Sequence, residues 1–301
     1  MSGRFLGDIM KCEIVKALLE NQIAIYAVKT DSLVNSAIKK HNLSPVAAAA
    51  LGRMLTATAL MGASLKNSSD YLTATIKGDG QLGSLVCCAD GRGLVKGYVD
   101  NPTVDNDVKE DGHLNVGKAV GKNGMLTVIK NIGLKTPYVG TSRLVSGEIA
   151  EDFAQYFVVS EQQPCSVALG VKLQKGKCIS AGGVIVQVLP NCDPQLLFDV
   201  ETVCYAMDEI SYQFESQNAK QVIERFFSQL GNLEFEPSKY CSYRCDCSTK
   251  RIERVVLSLG IEEALNVVEE MGCLEIGCHF CGKKYRYDKE QIIQLFQSTQ
   301  K

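Results

Sequence analysis

Three observations predict an α+β chain with an N-terminal core built mainly on antiparallel sheet, a helical linker, and a small C-terminal domain organised by four cysteines. First, short β-branched runs parted by Gly- and Asp-rich turns dominate the early sequence and do not alternate regularly with helices, which favours α+β over a doubly wound sheet. Second, from Asp193 the apolar residues change to spacings of three and four. Third, a C-x-C pair, Cys245 and Cys247, and a C-x-x-C pair, Cys278 and Cys281, flank thirty residues that read as helix. The expected boundaries are 1–179 for the core, 180–232 for the linker (starting with a core strand), and 233–301 for the cysteine domain.

The elements follow in order. Residues 23–28 read as a strand, and 31–40 as an amphipathic helix. Ser44-Pro45 is an N-cap followed by proline at the first helical position. It opens VAAAALGRMLTATALMGASL, apolar nearly all round and therefore central. LTATIKG, GSLVCCA and GLVKGYV, separated by Gly78-Asp79-Gly80 and Asp90-Gly91, predict a meander of hairpins. Further strands are expected near 125–129, 138–144, 167–173 and 183–189, with a helix near 148–159. Gly182-Gly183 lacks the rest of a phosphate loop and marks a bulge or a close backbone approach.

In the linker, Asp193-Pro194 caps a helix carrying Leu196, Val200, Val203, Met207 and Ile210, and a second carries Ala219, Val222, Ile223, Phe226, Phe227 and Leu230 up to Gly231. No Lys or Arg occurs between Cys178 and Ala219, yet that stretch holds Asp193, Asp199, Glu201, Asp208, Glu209 and Glu215. Like charges at close helical spacing destabilise an isolated helix, so these helices depend on docking their apolar stripe. Beyond, helices are expected at 250–259 and 261–271 with a break at Gly260, then the C-x-x-C turn, a strand at 284–287 and a helix at 288–296.

Apolar residues make up 46% of the 301, charged residues 22%, and the net charge is −2, an ordinary globular composition without the clustered cations that nucleic acid requires. MSGRFLGDIMKCEIVKALLENQ has no continuous apolar run of the signal-peptide kind. No stretch matches the roughly 18 uninterrupted apolar residues of a membrane span; the longest candidate, 46–65, contains Arg53. Thirteen cysteines in such a chain point to a reducing cytoplasm. Cys12, Cys87, Cys88, Cys165, Cys178, Cys192 and Cys204 lie in apolar contexts and are expected to be buried thiols.

Cys245, Cys247, Cys278 and Cys281 carry the chemistry. Four thiolates are soft ligands suited to one Zn2+, and an all-cysteine site is closed and structural. Cys241, Cys273 and His279 are nearby alternative ligands. The site can be a permanent staple for a small domain, or one whose thiolates are oxidised with loss of the metal. A thioredoxin-like role is disfavoured because the C-x-x-C precedes Gly-Lys-Lys and a strand rather than a helix. A zinc-stapled binding module, for nucleic acid or protein and without redox switching, is the alternative function; Lys283, Lys284 and Arg286 with Tyr285 and Tyr287 are its best support. His41 and His113 read as surface residues, Ser160-Glu161 has no triad partner, and no catalytic constellation emerges.

The chain resembles the 33 kDa heat-shock-protein family of redox-regulated holdase chaperones. The resemblance runs nearly end to end and includes both cysteine pairs, GEIAEDFAQYFVVSEQQP at 147–164, AGGVIVQVLP at 181–190, ALGRMLTATALM, TIKGDGQLG and YVGTSRLVSGEI. It implies a cytoplasmic, non-enzymatic, ATP-independent chaperone, inactive when reduced and zinc-bound through Cys245, Cys247, Cys278 and Cys281. On oxidation it implies disulfides Cys245–Cys247 and Cys278–Cys281, unfolding of the zinc domain and linker, binding of unfolding client proteins, and a homodimer. Clients then pass to an ATP-driven foldase chaperone. Nucleic acid and membrane are not among the implied partners.

Overall fold

The computed structural model describes residues 11–298. Residues 1–10, part of the stretch read above for a signal peptide, lie outside the described residues. Two compact units divide the chain, Met1–Arg244 and Cys245–Lys301.

The first unit opens with a hairpin of β1 (Cys12–Leu19) and β2 (Ile23–Lys29), turned by left-handed Glu20 and Asn21. Helices α1 (Asp31–His41) and α2 (Pro45–Gly62) follow, then the meander β3 (Tyr71–Lys77), β4 (Ser84–Asp90) and β5 (Leu94–Val99). Next come α3 (Val116–Val120), β6 (Met125–Asn131), β7 (Tyr138–Arg143), α4 (Ala150–Ser160), β8 (Cys165–Gln174) and β9 (Lys177–Val188). The unit closes with α5 (Pro194–Tyr205), α6 (Ile210–Ser216), α7 (Ala219–Phe227), β10 (Leu233–Phe235) and β11 (Lys239–Tyr243). Among the described residues the strands form one sheet in the order β7-β6-β3-β4-β5-β11-β1-β2-β9-β8, with β10 also paired to β1. β11 is its seam, antiparallel to β1 and parallel to β5. Residues 233–243, grouped from sequence with the cysteine domain, thus pair within the core sheet.

Helix α2 is buried at every residue except Pro45 and Arg53, which explains its apolar composition on all sides. It is the one described helix long and apolar enough to cross a membrane, and 83% of it is buried inside the protein. Its threonines satisfy themselves internally, Thr56 Oγ1 on Gly52 O at 2.8 Å and Thr58 Oγ1 on Met54 O at 2.7 Å. Ser44 is extended, as an N-cap should be, but its hydroxyl makes no cap bond. Asn106 Oδ1 accepts the Val46 N–H instead, at 3.1 Å.

Before α4, Ile149 sits at φ +76°, where a β-branched side chain is strained. Asp152 holds it there: its buried carboxylate accepts the N–H groups of Val145, Ser146, Gly147 and Ile149 at 2.7–3.3 Å. The strain is thus matched by four charge-assisted bonds in one turn.

The linker separates into three helices rather than two, because residues 206–209 turn between α5 and α6. Asp193 caps α5 as predicted, accepting Gln195 N–H at 2.8 Å and Leu196 N–H at 3.1 Å. Val200, Met207, Ile210, Phe214, Val222, Ile223 and Phe227 bury themselves on Val15, Leu19, Ile25 and Val186 of β1, β2 and β9. The stripe therefore docks on the sheet of its own unit. A Cβ at Gly182 would lie 2.4 Å from the Phe214 ring, so the close approach predicted there is made by α6. One acid of the linker, Glu215, finds its cation outside it: Lys172 of β8 pairs with it at 2.6 Å and lies 4.0 Å over the Tyr212 ring.

The second unit comprises α8 (Thr249–Leu259), α9 (Ile261–Met271), the hairpin β12 (Leu274–Gly277) and β13 (Lys284–Tyr287), and α10 (Lys289–Ser298). Gly260, at φ +87°, makes the predicted break between α8 and α9. Its core is small: Ile252, Val256, Ala264, Val268, Leu274, Tyr285, Tyr287 and Ile292. So few buried side chains make a marginal core that needs a further cross-link.

Candidate metal centre

Cys278 and Cys281 sit in the turn joining β12 to β13. Cys278 N–H donates to Lys283 O at 2.9 Å, Gly282 N–H returns to Cys278 O at 2.8 Å, and Gly282 takes φ +69°. Antiparallel pairing of Gly277 with Lys284 fixes both ends of this turn. The other pair lies just before α8, whose cap Ser248 accepts Arg251 N–H at 3.4 Å, while Arg251 Nη1 lies 3.4 Å from Asp246. Helix start and hairpin turn thereby present two sulfurs each to one point.

The four sulfurs lie within 4.8 Å of one another. Cys245 Sγ is 3.6 Å from Cys278 Sγ, and Cys247 Sγ is 3.4 Å from Cys281 Sγ, far beyond a disulfide bond. A tetrahedral thiolate centre with metal–sulfur bonds of about 2.3 Å has edges of about 3.8 Å, so the cluster has the dimensions of a metal site. Tyr285 donates its hydroxyl to Cys247 Sγ at 3.2 Å. Burial opposes ionisation of Cys247, but hydrogen bonds from Tyr285 and from the neighbouring thiols outweigh it and bring its pKa down to about 7. Burial raises Cys245 and Cys281. A soft cation held by the four sulfurs displaces the protons that burial favours on Cys245 and Cys281.

The alternative ligands lie elsewhere. Cys273 and His279 are not members of the cluster, and Cys241 belongs to β11 of the first unit. The basic-aromatic group at 283–287 is largely internally occupied: Lys284 and Arg286 each contact Glu275 at 2.7 Å, and Lys283 lies 4.6 Å over the Tyr285 ring. His113, exposed as expected, contacts Asp111 at 3.2 Å and Glu209 at 3.5 Å. His41, read as a surface residue, is half-buried, with Nε2 at 3.1 Å from the Tyr243 hydroxyl. Tyr285, seen in sequence only as part of a basic-aromatic group, is the contact to the cluster that sequence reading missed; its place opposite Ile276 in the hairpin brings it to the sulfur.

Comparison with known proteins agrees with this picture. The family model described as Hsp33 protein matches residues 13–288. A "33 kDa chaperonin" of Clostridium perfringens (strain SM101 / Type A) is 44% identical over 301 residues, spanning 97% of this chain and 93% of the relative. One from Thermoanaerobacter sp. (strain X514) is 42% identical over 290 residues, spanning 95% and 98%. The crystal structure of the 33 kDa chaperonin (heat shock protein 33 homolog) of Thermotoga maritima superposes with a TM-score of 0.87 at 31% identity, covering 96% of this chain and 98% of that one. The predicted fold class, α+β with a mainly antiparallel sheet and a C-terminal four-cysteine cluster, is the one found.

Proposed function

The chain belongs to the Hsp33 protein family, and from that premise we propose that it is a redox-regulated, ATP-independent holdase, idle while reduced and zinc-bound and active when oxidised. The observation that carries this reading is the convergence of Cys245, Cys247, Cys278 and Cys281 within 4.8 Å in a unit with a marginal core. Zinc, when bound, supplies the cross-link that such a core lacks, since ligation energy in small metal domains is folding energy.

Peroxide then has two routes to the same end. Each pair of thiolates gives two electrons to one hydrogen peroxide, whose O–O bond breaks to leave two hydroxides, while the sulfurs join as Cys245–Cys247 or Cys278–Cys281. These bonds close very short loops and require only local movement. Sulfurs so joined no longer serve as ligands, and the unit loses its cross-link. The linker is the second conditional element, with its helices held by the apolar face they lay on β1, β2 and β9. Once undocked, that face offers Val200, Ile210, Phe214, Val222 and Phe227 to the apolar segments of unfolding clients. The same exposed surface accounts for a homodimer of the oxidised form, and clients would pass to an ATP-driven foldase chaperone in the cytoplasm. No enzymatic step is required.

Light scattering from a thermally unfolding client tests this directly. The oxidised protein should suppress aggregation and the reduced, zinc-loaded protein should not. Equal behaviour of the two forms would overturn the switch.

A further inference from the structure

Outside the cluster, a second pair of cysteines is held face to face. Cys12 opens β1 and Cys241 lies in β11, and the antiparallel register sets them directly opposite each other. Directly opposed antiparallel residues have Cα atoms about 4.5–5.5 Å apart, inside the range of about 4.4–6.8 Å that a disulfide spans. The two thiols act on each other's ionisation, Cys241 lowering the pKa of Cys12 and Cys12 raising that of Cys241. Cys12 Sγ also lies 3.0 Å from Ser32 Oγ and receives the Leu33 N–H, both from the first turn of α1. These contacts favour a thiolate at Cys12, as helix N-termini do for cysteine.

Both residues are nearly inaccessible at the surface, 5% and 2% exposed. A cavity of about 250 Å³ nonetheless reaches Cys241, lined also by Ile14, Lys66, Asp90, Arg92 and Lys239. It is wide enough for hydrogen peroxide, and Cys241, the register partner of Cys12, is part of its lining.

We propose that Cys12 and Cys241 are a second oxidisable site, forming a cross-strand disulfide that clamps β11 to β1 when a hydroperoxide enters this cavity. The chemistry balances with the peroxide as sole oxidant. The Cys12 thiolate, its proton given up to solvent, attacks the O–O bond, which breaks to give a Cys12 sulfenic acid and hydroxide; the released proton and the hydroxide make one water. The Cys241 thiol then attacks the Cys12 sulfur; the S–S bond forms, the S–O bond breaks, and the leaving oxygen takes the thiol proton as the second water. Overall, two thiols and one peroxide give one disulfide and two waters.

The clamp falls where it matters. β11 joins the two halves of the sheet, and the chain runs from it directly to Cys245. The disulfide would hold the seam shut while the residues beyond it unfold, a role that rests on the switch proposed above, although the bond itself does not.

Peroxide treatment of the full-length zinc-loaded protein, alkylation in denaturant and tryptic digestion without reductant tests the site. The cleavage sites isolate each cysteine: Cys12 falls in 12–16 and Cys241 in 240–244. The expected product is the cross-link between these peptides, absent from Cys12→Ala and Cys241→Ala. It should persist in the combined variant Cys245→Ser, Cys247→Ser, Cys278→Ser and Cys281→Ser, which separates it from failure of the switch. Recovery of both cysteines as alkylated thiols after full oxidation, or of Cys241 bonded elsewhere, would overturn the proposal. The oxidised wild-type sheet should also melt several degrees above oxidised Cys12→Ala; equal midpoints would refute the clamp.

Discussion

Replacing Phe214 with Ala should release the linker without any oxidant. The ring is fully buried and lies on the bare backbone of Gly182. Truncating a buried Phe costs about 3–5 kcal/mol. Helix α6 has seven residues, too few to persist alone, since isolated helices shorter than about 12–15 residues are marginal. The loss should therefore appear as local opening of residues 193–231 rather than uniform weakening. If opening is rapid relative to cleavage, 3–5 kcal/mol corresponds to roughly a 10²–10⁴-fold faster cut. Chymotrypsin digestion of the reduced, zinc-loaded protein, with sites mapped by mass spectrometry, reads this out. Gly182→Ala attacks the same contact from the other side, because its Cβ would sit 2.4 Å from the ring. Overpacking of that kind costs about 1–3 kcal/mol. With the ring already removed, Gly182→Ala should cost less, a non-additivity that a double-mutant cycle measures. Unchanged cleavage at 193–231, together with a single cooperative transition at lower temperature, would refute the idea that the linker is separately held.

Three further outcomes are expected. Tyr285→Phe removes the hydroxyl that donates to Cys247 at 3.2 Å, worth about 1 kcal/mol, so peroxide-driven zinc release should quicken by roughly fivefold in a chromogenic chelator assay; an unchanged rate would remove Tyr285 from the site. Cys245→Ser, or a strong chelator acting on the wild type, should lower zinc occupancy and melt α8–α10 by far-UV circular dichroism. Because burial raises Cys245 and Cys281 and metal must displace their protons, measured zinc affinity should fall with falling pH, and a pH-independent affinity would contradict thiolate ligation. Asp152→Asn keeps the shape of the side chain but turns an amide N–H toward donors that need an acceptor, so stability should fall by about 1–3 kcal/mol in urea unfolding. Wild-type stability in that variant would mean the positive φ of Ile149 is held by something else.

Much of this protein is legible in its sequence because the determining interactions are local. Two sulfurs separated by one or two residues reach a common point whatever the surrounding fold, so the C-x-C and C-x-x-C pairs declare a metal site by spacing alone. Asp193 caps the helix it precedes, Gly260 breaks the helix it interrupts, and the Asp-Gly turns close the hairpins beside them. Each signal lies within a few residues of its effect. The apolar stripe of the linker was legible too, and it is found packed on β1, β2 and β9.

The tertiary structure decided the rest, because the partners are distant along the chain. CEIVKALL becomes β1 only by pairing with β2, β10 and β11, whose last two strands are three and five residues long and carry little signal of their own. Helix α2 receives its cap from Asn106, and Glu215 receives its cation from Lys172. Tyr285 reaches Cys247 through a hairpin register, and Cys12 reaches Cys241 across strands from opposite ends of the unit. Spacing within a segment sets ligand pairs, turns and apolar stripes, since those need only the geometry of neighbouring residues. Which stripe meets which sheet, and which thiol faces which, depends on burying the largest apolar area at one register, a choice that exists only once the whole chain has closed.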